Sequence, residues 1–350
     1  MTVDWHLAAA GFDAARTLPG AVVPQLTRRH GHSFRVMAWV QRPLAEDEAV
    51  LAAHLRRMAR DLDYADLNET LPIPRDEALL AWLAQRLALP GLDGLRLEVG
   101  PAGGTDWSVA GFRAFRRFRF EASHRLPRVP PGHKCGRLHG HGFVVTLYGP
   151  WGLGDDPPGF AGEVLEKAWA GLCGELADRC LNRVPGLANP TSELLAVWLW
   201  RRLPALSAVT VQETSSSGCG FDGVQHRIWI ERTFESAICP QGFGKNGAEP
   251  TGHGYRIRLC LTAPLHRVMG WTLDYGDVKT LFSPLYRCLD HCDLGTLPRD
   301  ADIPSSTRAL LGWLKVQMVP CLPALDSLEL WSTPQSGVRL AWGATALMGL

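Results

Sequence analysis

Residues 118–146 read FRFEASHRLPRVPPGHKCGRLHGHGFVVT, and both the fold and the chemistry of the chain turn on that stretch. It contains two alternating runs of the kind half-buried strands show, with four histidines and a cysteine between and along them. His139 and His141 lie two apart on a strand, so their side chains share one face. His124 ends the preceding strand, which an antiparallel pairing brings alongside. Zinc accepts imidazole nitrogens, and a catalytic site keeps three protein ligands with a fourth position open. A lone histidine in such a place is usually a satisfied polar residue; three converging on one sheet face predict a metal site. Cys135 lies in the loop leading to His139. Beside His133, Lys134 and a divalent cation its thiol pKa is expected to fall, making it a proton acceptor at neutral pH. The other cysteines read as buried small hydrophobes.

Working outward, the same landmarks recur along the chain. Phe12-Asp13-Ala14-Ala15, Phe120-Glu121-Ala122-Ser123 and Phe234-Glu235-Ser236-Ala237 form one set. His30-Gly31-His32, His139-Gly140-His141 and a decayed Thr251-Gly252-His253 form a second. A third is Leu62-Asp63-Tyr64, Ala177-Asp178-Arg179 and Leu289-Asp290-His291; the last is Pro74, Pro190 and Pro304, followed by Trp82, Trp198 and Trp313. All keep their order at intervals of about 108 to 116 residues, which predicts three tandem units, 1–110, 111–232 and 233–350. In each, strands are expected at 35–40, 143–148 and 255–260, with a helix such as 278–289 and a closing strand such as 208–213. Asn189-Pro190-Thr191-Ser192-Glu193 announces a second helix: Thr191 or Ser192 caps it, and Glu193 suits its positive end. Strands and helices in this order predict an α+β fold with an antiparallel sheet.

Composition narrows the function classes. The chain has 350 residues, 46% of them hydrophobic, so it has ample core. Lys and Arg number 36 against 35 Asp and Glu, leaving no electrostatic case for nucleic acid or an acidic membrane surface. No apolar run approaches the roughly 20 residues of a membrane span. No signal peptide is evident, and nine cysteines without paired spacing suit a reducing cytoplasm.

The segment FEASHRLPRVPPGHKCGRLHGHGF, with LNRVPGLANPTSELLAVWLW (181–200) and VTVQETSSSGCGFDG (209–223), resembles the 6-pyruvoyltetrahydropterin synthase family. The short Cys135-to-His139 spacing resembles its 6-carboxytetrahydropterin synthase members, the queuosine-pathway type. The resemblance implies a tunnelling fold: units with a four-stranded antiparallel sheet and two helices, here three in one chain forming a pseudo-trimeric barrel. Two chains are expected to pair as a homodimer, a pseudo-hexamer. It also implies that His124, His139 and His141 hold Zn2+, that Cys135 shuttles a proton, and that Glu213 clasps the pterin through its paired N–H donors. The implied reaction converts 7,8-dihydroneopterin triphosphate to 6-carboxy-5,6,7,8-tetrahydropterin, acetaldehyde and triphosphate. Arg125, Arg128, Lys134 and Arg137 could attract the triphosphate.

The family also uses an Asp-His pair with its cysteine. The middle unit has Asp178-Arg179 there, whereas the third keeps Asp290 and His291. That third unit has Ile238 and Thr251 at two metal positions, Gly247 at the cysteine's and Ser332 at the glutamate's. The losses are complementary, so one complete site is expected between units two and three, with Asp290 orienting His291. The first unit, with Arg16, Leu26, Tyr64 and Val99 at the key positions, reads as structural. The alternatives are a related enzyme acting on another pterin in a specialised pathway, or a non-catalytic pterin- or zinc-binding scaffold.

Overall fold

In β5 (Gly111–His124) and β6 (His139–Tyr148), antiparallel pairing sets His124 opposite His139 and Phe120 opposite Phe143. The computed structural model, which describes residues 2–21, 23–41, 48–152, 161–203, 206–238, 249–297 and 306–343, repeats this hairpin twice. β1 (Val3–Arg16) pairs with β2 (His30–Gln41), placing Arg16 opposite His30; β10 (His226–Ile238) pairs with β11 (Thr251–Thr262), placing Ile238 opposite Thr251. One stacked aromatic pair marks each hairpin: Phe12–Phe34, Phe120–Phe143 and Phe234–Tyr255, with ring centres 5.0, 5.1 and 4.9 Å apart.

Each hairpin is followed by two main helices and a second hairpin. After β2 come α1 (Glu48–Leu62), a short α2 (Leu67–Thr70), α3 (Asp76–Leu87), β3 (Leu92–Val99) and β4 (Gly103–Ser108). After β6 come α4 (Ala161–Leu176), the two-residue β7 (Arg179–Cys180), α5 (Ser192–Arg202), β8 (Ala208–Thr214) and β9 (Ser217–Phe221). After β11 come α6 (Tyr275–Leu289), the two-residue β12 (Cys292–Asp293), α7 (Thr307–Met318), β13 (Leu325–Thr333) and β14 (Ser336–Ala341). The second helix of each block is capped at Arg75, Thr191 or Ser306, with Trp82, Trp198 or Trp313 two turns on. Thr191 is the working cap of α5, its hydroxyl accepting from the Leu194 N–H. Pro304 and Gly247 lie outside the described residues.

The second hairpin of each block joins the first of the next, through β4–β5, β9–β10 and β14–β1. With β10 also paired to β11, the twelve main strands close on themselves as one antiparallel barrel, which removes every long edge. Three separate apolar clusters hold the helices to one face of the sheet, one per block. Three helix pairs that never share a core must lie outside the barrel; the opposite face, with Trp5, Trp39 and Trp331, lines its interior. The α+β class and antiparallel sheet expected from sequence are therefore present, with the local sheets fused into one. The expected 232/233 boundary falls within β10; the turn ahead of that strand lies at 222–225, where Asp222 accepts the amides of Val224 and Gln225. No described helix is long and apolar enough to cross a membrane.

Candidate metal and substrate site

The β5–β6 register carries His124, His139 and His141 onto one face, where one ring nitrogen from each lies within 4.8 Å of the others. His124 Nδ1 donates to the Pro190 carbonyl at 2.9 Å and His139 Nδ1 to the Arg137 carbonyl at 2.7 Å, which leaves both Nε2 lone pairs free. His124 Nε2 is buried without a partner. Burial lowers the His124 pKa to about 4, helped by His139 and His141 and opposed by the Pro190 bond; burial, then His139, also lowers His141. Neutral imidazoles with oriented, unpartnered Nε2 atoms are what a divalent cation requires. These residues fit a three-histidine metal site.

His139 and His141, with His124 buried behind them, open onto a cavity of about 510 Å³ that Cys135, Glu213, Lys134 and Arg137 also line. The third block completes it with Trp271, Leu273, Asp274, Tyr275 and Lys279. A row of hydrogen bonds seals this boundary: Asn189 to the Met269 carbonyl, Thr191 to the Gly270 carbonyl, and Ser192 with the Tyr275 hydroxyl. Glu193 was expected only to serve the helix dipole. Instead it is buried and accepts from the Thr272 amide at 2.8 Å and the Thr272 hydroxyl at 3.0 Å. Glu193 in turn shapes Glu213: burial first, then the neighbouring Glu193 carboxylate, push the Glu213 pKa up to about 8. At neutral pH this carboxyl is protonated until a ligand claims it. The cavity thus has an acidic pocket at one side and, at another, Lys134, Arg137 and Lys279.

Two expectations change. The Cys135 thiol was expected to have a lowered pKa; burial, followed by Asp274 and Glu213, pushes it up against the pull of Lys134. The chain's own charges therefore do not activate the thiol, and only a bound cation would act in the other direction. Second, Asp290 and His291 do not reach this cavity. They sit beside β10, where Asp290 accepts the Glu235 amide, the His291 amide donates to the Glu235 carbonyl, and His291 Nδ1 lies 3.1 Å from Asp290. His291 lines a separate open groove with Glu235, Gly252 and His253, and its side chain is 80% exposed.

The same bonds correct the alignment of the blocks. The amides of Tyr64, Asp178 and His291 donate to the carbonyls of Asp13, Glu121 and Glu235, and all three residues adopt positive φ, 55°, 58° and 57°. Asp178 therefore occupies the histidine's position and Ala177 the aspartate's, so the middle block lacks both members of the pair. In the first block Arg16 stands where His124 does, donating to the Pro74 carbonyl at 3.0 Å and pairing with Asp76 at 2.7 Å. Sequence reading missed Asp274, Tyr275, Lys279 and the role of Glu193. The signal lay in the segment 270–279, where Asp274, Tyr275 and Lys279 stand together at the start of a helix.

Comparison with known proteins follows this geometry. The family model described as 6-pyruvoyl tetrahydropterin synthase matches residues 113–224 and again 225–341. A 6-carboxy-5,6,7,8-tetrahydropterin synthase from Synechocystis sp. is 33% identical over 118 residues, 31% of this chain and 90% of that protein. Among solved structures, Caenorhabditis elegans 6-pyruvoyl tetrahydropterin synthase overlaps 32% of this chain and 94% of its own, with 22% identity and a TM-score of 0.29. A uricase from Bacillus fastidious overlaps 62% of this chain and 79% of its own, at 10% identity and a TM-score of 0.31. Neither overlap reaches a TM-score of 0.5, and the family assignment stands on the sequence matches.

Metal analysis of the purified chain should give about one divalent ion per chain, abolished by His124→Ala. Arg16→His would restore a third imidazole in the first block and should raise the content toward about two. Three ions in the unaltered chain, or no gain in Arg16→His, would contradict this account of the two hairpins.

Proposed function

The chain belongs to the 6-pyruvoyl tetrahydropterin synthase family, and from that premise we propose that it is a zinc-dependent lyase of the 6-carboxytetrahydropterin synthase type. Its substrates would be 7,8-dihydroneopterin triphosphate and water, and its products 6-carboxy-5,6,7,8-tetrahydropterin, acetaldehyde and triphosphate. The observation carrying this reading is the meeting of three convergent imidazoles with a cavity that a thiol and a half-buried carboxyl also line. The 33% identity to a protein described as a 6-carboxy-5,6,7,8-tetrahydropterin synthase supports that choice within the family.

We read the three blocks as three tandem tunnelling-fold units, the second junction moved to 222–225, closing a pseudo-trimeric barrel. The first unit is structural, the second holds metal, cysteine and pterin, and the third walls the cavity. His124, His139 and His141 would hold zinc through Nε2. Bound zinc supplies Lewis acidity, making hydroxyls on the pterin side chain easier to deprotonate. Cys135 accepts or returns a proton at that side chain. Glu213 receives the amino-pyrimidinone edge, whose two N–H donors match a carboxylate. Lys134, Arg137 and Lys279 attract the triphosphate, since no salt bridge to a carboxylate neutralises them among the described residues.

The Asp290–His291 pair belongs, in this reading, to the site of a second chain. Within its own chain His291 is exposed and lines a groove other than the zinc cavity, and a stacked homodimer, a pseudo-hexamer, would let each chain present its pair to the other. Each dimer would then hold two composite sites.

Incubation with 7,8-dihydroneopterin triphosphate should release 6-carboxy-5,6,7,8-tetrahydropterin and triphosphate, identified by mass spectrometry. Pterin binding without turnover would favour the scaffold or another pterin substrate. The pH dependence has a definite sign. Free Glu213 holds its proton up to about pH 8, and the bound donors favour the carboxylate, so binding expels a proton. Affinity for dihydroneopterin should therefore rise about tenfold per pH unit from 6 toward 8 and flatten above, and Glu213→Gln should remove the slope. Cys135→Ala and His291→Ala should each be inactive alone. Co-expressed, they should recover about a quarter of normal activity, because a mixed dimer rebuilds one intact site. Failure to recover any activity would place the pair's action within one chain or remove it from the reaction.

A further inference from the structure

The segment before the metal strand carries a histidine that neither the metal nor the pterin uses. His133 precedes the tight turn Lys134–Gly136, and its Nδ1 accepts the Cys135 amide at 3.2 Å. An Nδ1 that accepts must be unprotonated, which puts the ring proton on Nε2. That Nε2 lies 3.1 Å from Asp274 Oδ2, across the boundary between the second and third blocks. The other oxygen of Asp274 accepts the Gly276 amide at 2.5 Å as the N-cap of α6, so the carboxylate cannot swing away without uncapping that helix. The Trp271 ring, 5.7 Å from the His133 ring, closes one side. On the opposite flank, the Cys135 carbonyl accepts the Leu126 amide at 2.7 Å.

We propose that His133 and Asp274 are positioning residues, a clamp through which the third block fixes the Cys135 turn against the metal-binding hairpin. The proposal rests on the reading of Cys135 as the proton-transfer group, and it adds the means by which its sulfur is held in place. Without the clamp, the turn keeps its own block's bonds but loses its short tie to the third block. The remaining tie from the same loop, Arg128 to the Val268 carbonyl, is a long 3.5 Å. The clamp also makes the helix that provides Lys279 and the turn that provides Cys135 parts of one rigid unit. Neither residue touches the substrate in this scheme; both act through Cys135.

Two substitutions remove the cross-boundary bond while keeping each partner's local duty. His133→Asn retains an acceptor for the Cys135 amide, as asparagine does in an Asx turn, but is too short to reach Asp274. Asp274→Asn keeps an oxygen to cap α6 while turning an NH2 toward the His133 N–H, donor against donor. Each variant, zinc-loaded, would be treated with iodoacetamide over a pH series, and the plateau rate at Cys135, where the thiol is fully ionised and loss of the Asp274 charge no longer counts, read by peptide mass spectrometry. Each should raise that rate by about five- to tenfold with zinc content unchanged, and the double variant should add nothing further. On the pterin substrate, kcat should fall while KM holds. Rates within about twofold of the parent, or effects that multiply in the double variant, would overturn the clamp. Alkylation and metal content need no pterin, so a failure of the proposed activity leaves this test intact and is read separately from it.

Discussion

The pairing register of the β5–β6 hairpin is the constraint on which the site depends. Side chains alternate faces along a strand, so a slip of one residue would turn His139 and His141 away from His124. The stacked Phe120–Phe143 pair and the buried run leading to Leu147 hold the register, because slippage would also expose them. The metal ligands thus owe their convergence to apolar packing several residues away. Equivalent stacks hold the other two hairpins at equivalent registers, with Arg16 opposite His30 and Ile238 opposite Thr251 where the second has His124 opposite His139.

A second dependence runs across the block boundary. The three-histidine cluster comes from one hairpin, but the cavity wall opposite it comes from residues 271–279, and these are tied down by Asn189, Thr191, Ser192 and Glu193 at the start of α5. Burial of the Glu193 carboxylate is tolerable because three donors meet it: the Thr272 amide and hydroxyl and the Ser192 hydroxyl. Its presence makes ionisation of Glu213 costly. The group that fastens the two blocks together therefore also helps burial to hold the Glu213 pKa up.

Much of this was legible in the sequence. The order of landmarks anticipated three repeated blocks, the histidine spacing anticipated the clustering of His124, His139 and His141, and the family resemblance singled out Glu213, which lines the same cavity as His139 and His141. What was not legible has physical causes. An acidic residue at 178 looks like the aspartate of the pair, but backbone bonding and positive φ, which letters do not display, put Asp178 in the histidine's place. The location of Asp290 and His291 depends on chain folding: the end of α6 is bonded to Glu235 of β10, whereas the cavity gathers the starts of α5 and α6. The thiol of Cys135 was judged by its sequence neighbours, and its environment is set instead by Asp274 and Glu213 from distant segments.

The three hairpins show three ways of filling one position in a sheet. In the second, a buried imidazole points a free nitrogen at its neighbours, a state that favours a cation. In the third, Ile238 opposite Thr251 leaves no set of nitrogen ligands. In the first, Arg16 donates to Pro74 as His124 donates to Pro190, and brings a permanent positive charge to the place where a metal would lie. Desolvation, then Arg16, holds the His32 pKa down, so the charge suppresses protonation of the imidazole beside it. A buried guanidinium needs a counter-charge, and Asp76 supplies it at the helix position where the metal-binding block has Ser192. Arginine and aspartate therefore make sense only together: either alone would leave a charge buried without a partner. Exchange of a borrowed cation for a covalently attached one preserves the local packing and gives up the open coordination position, which is the part that chemistry uses.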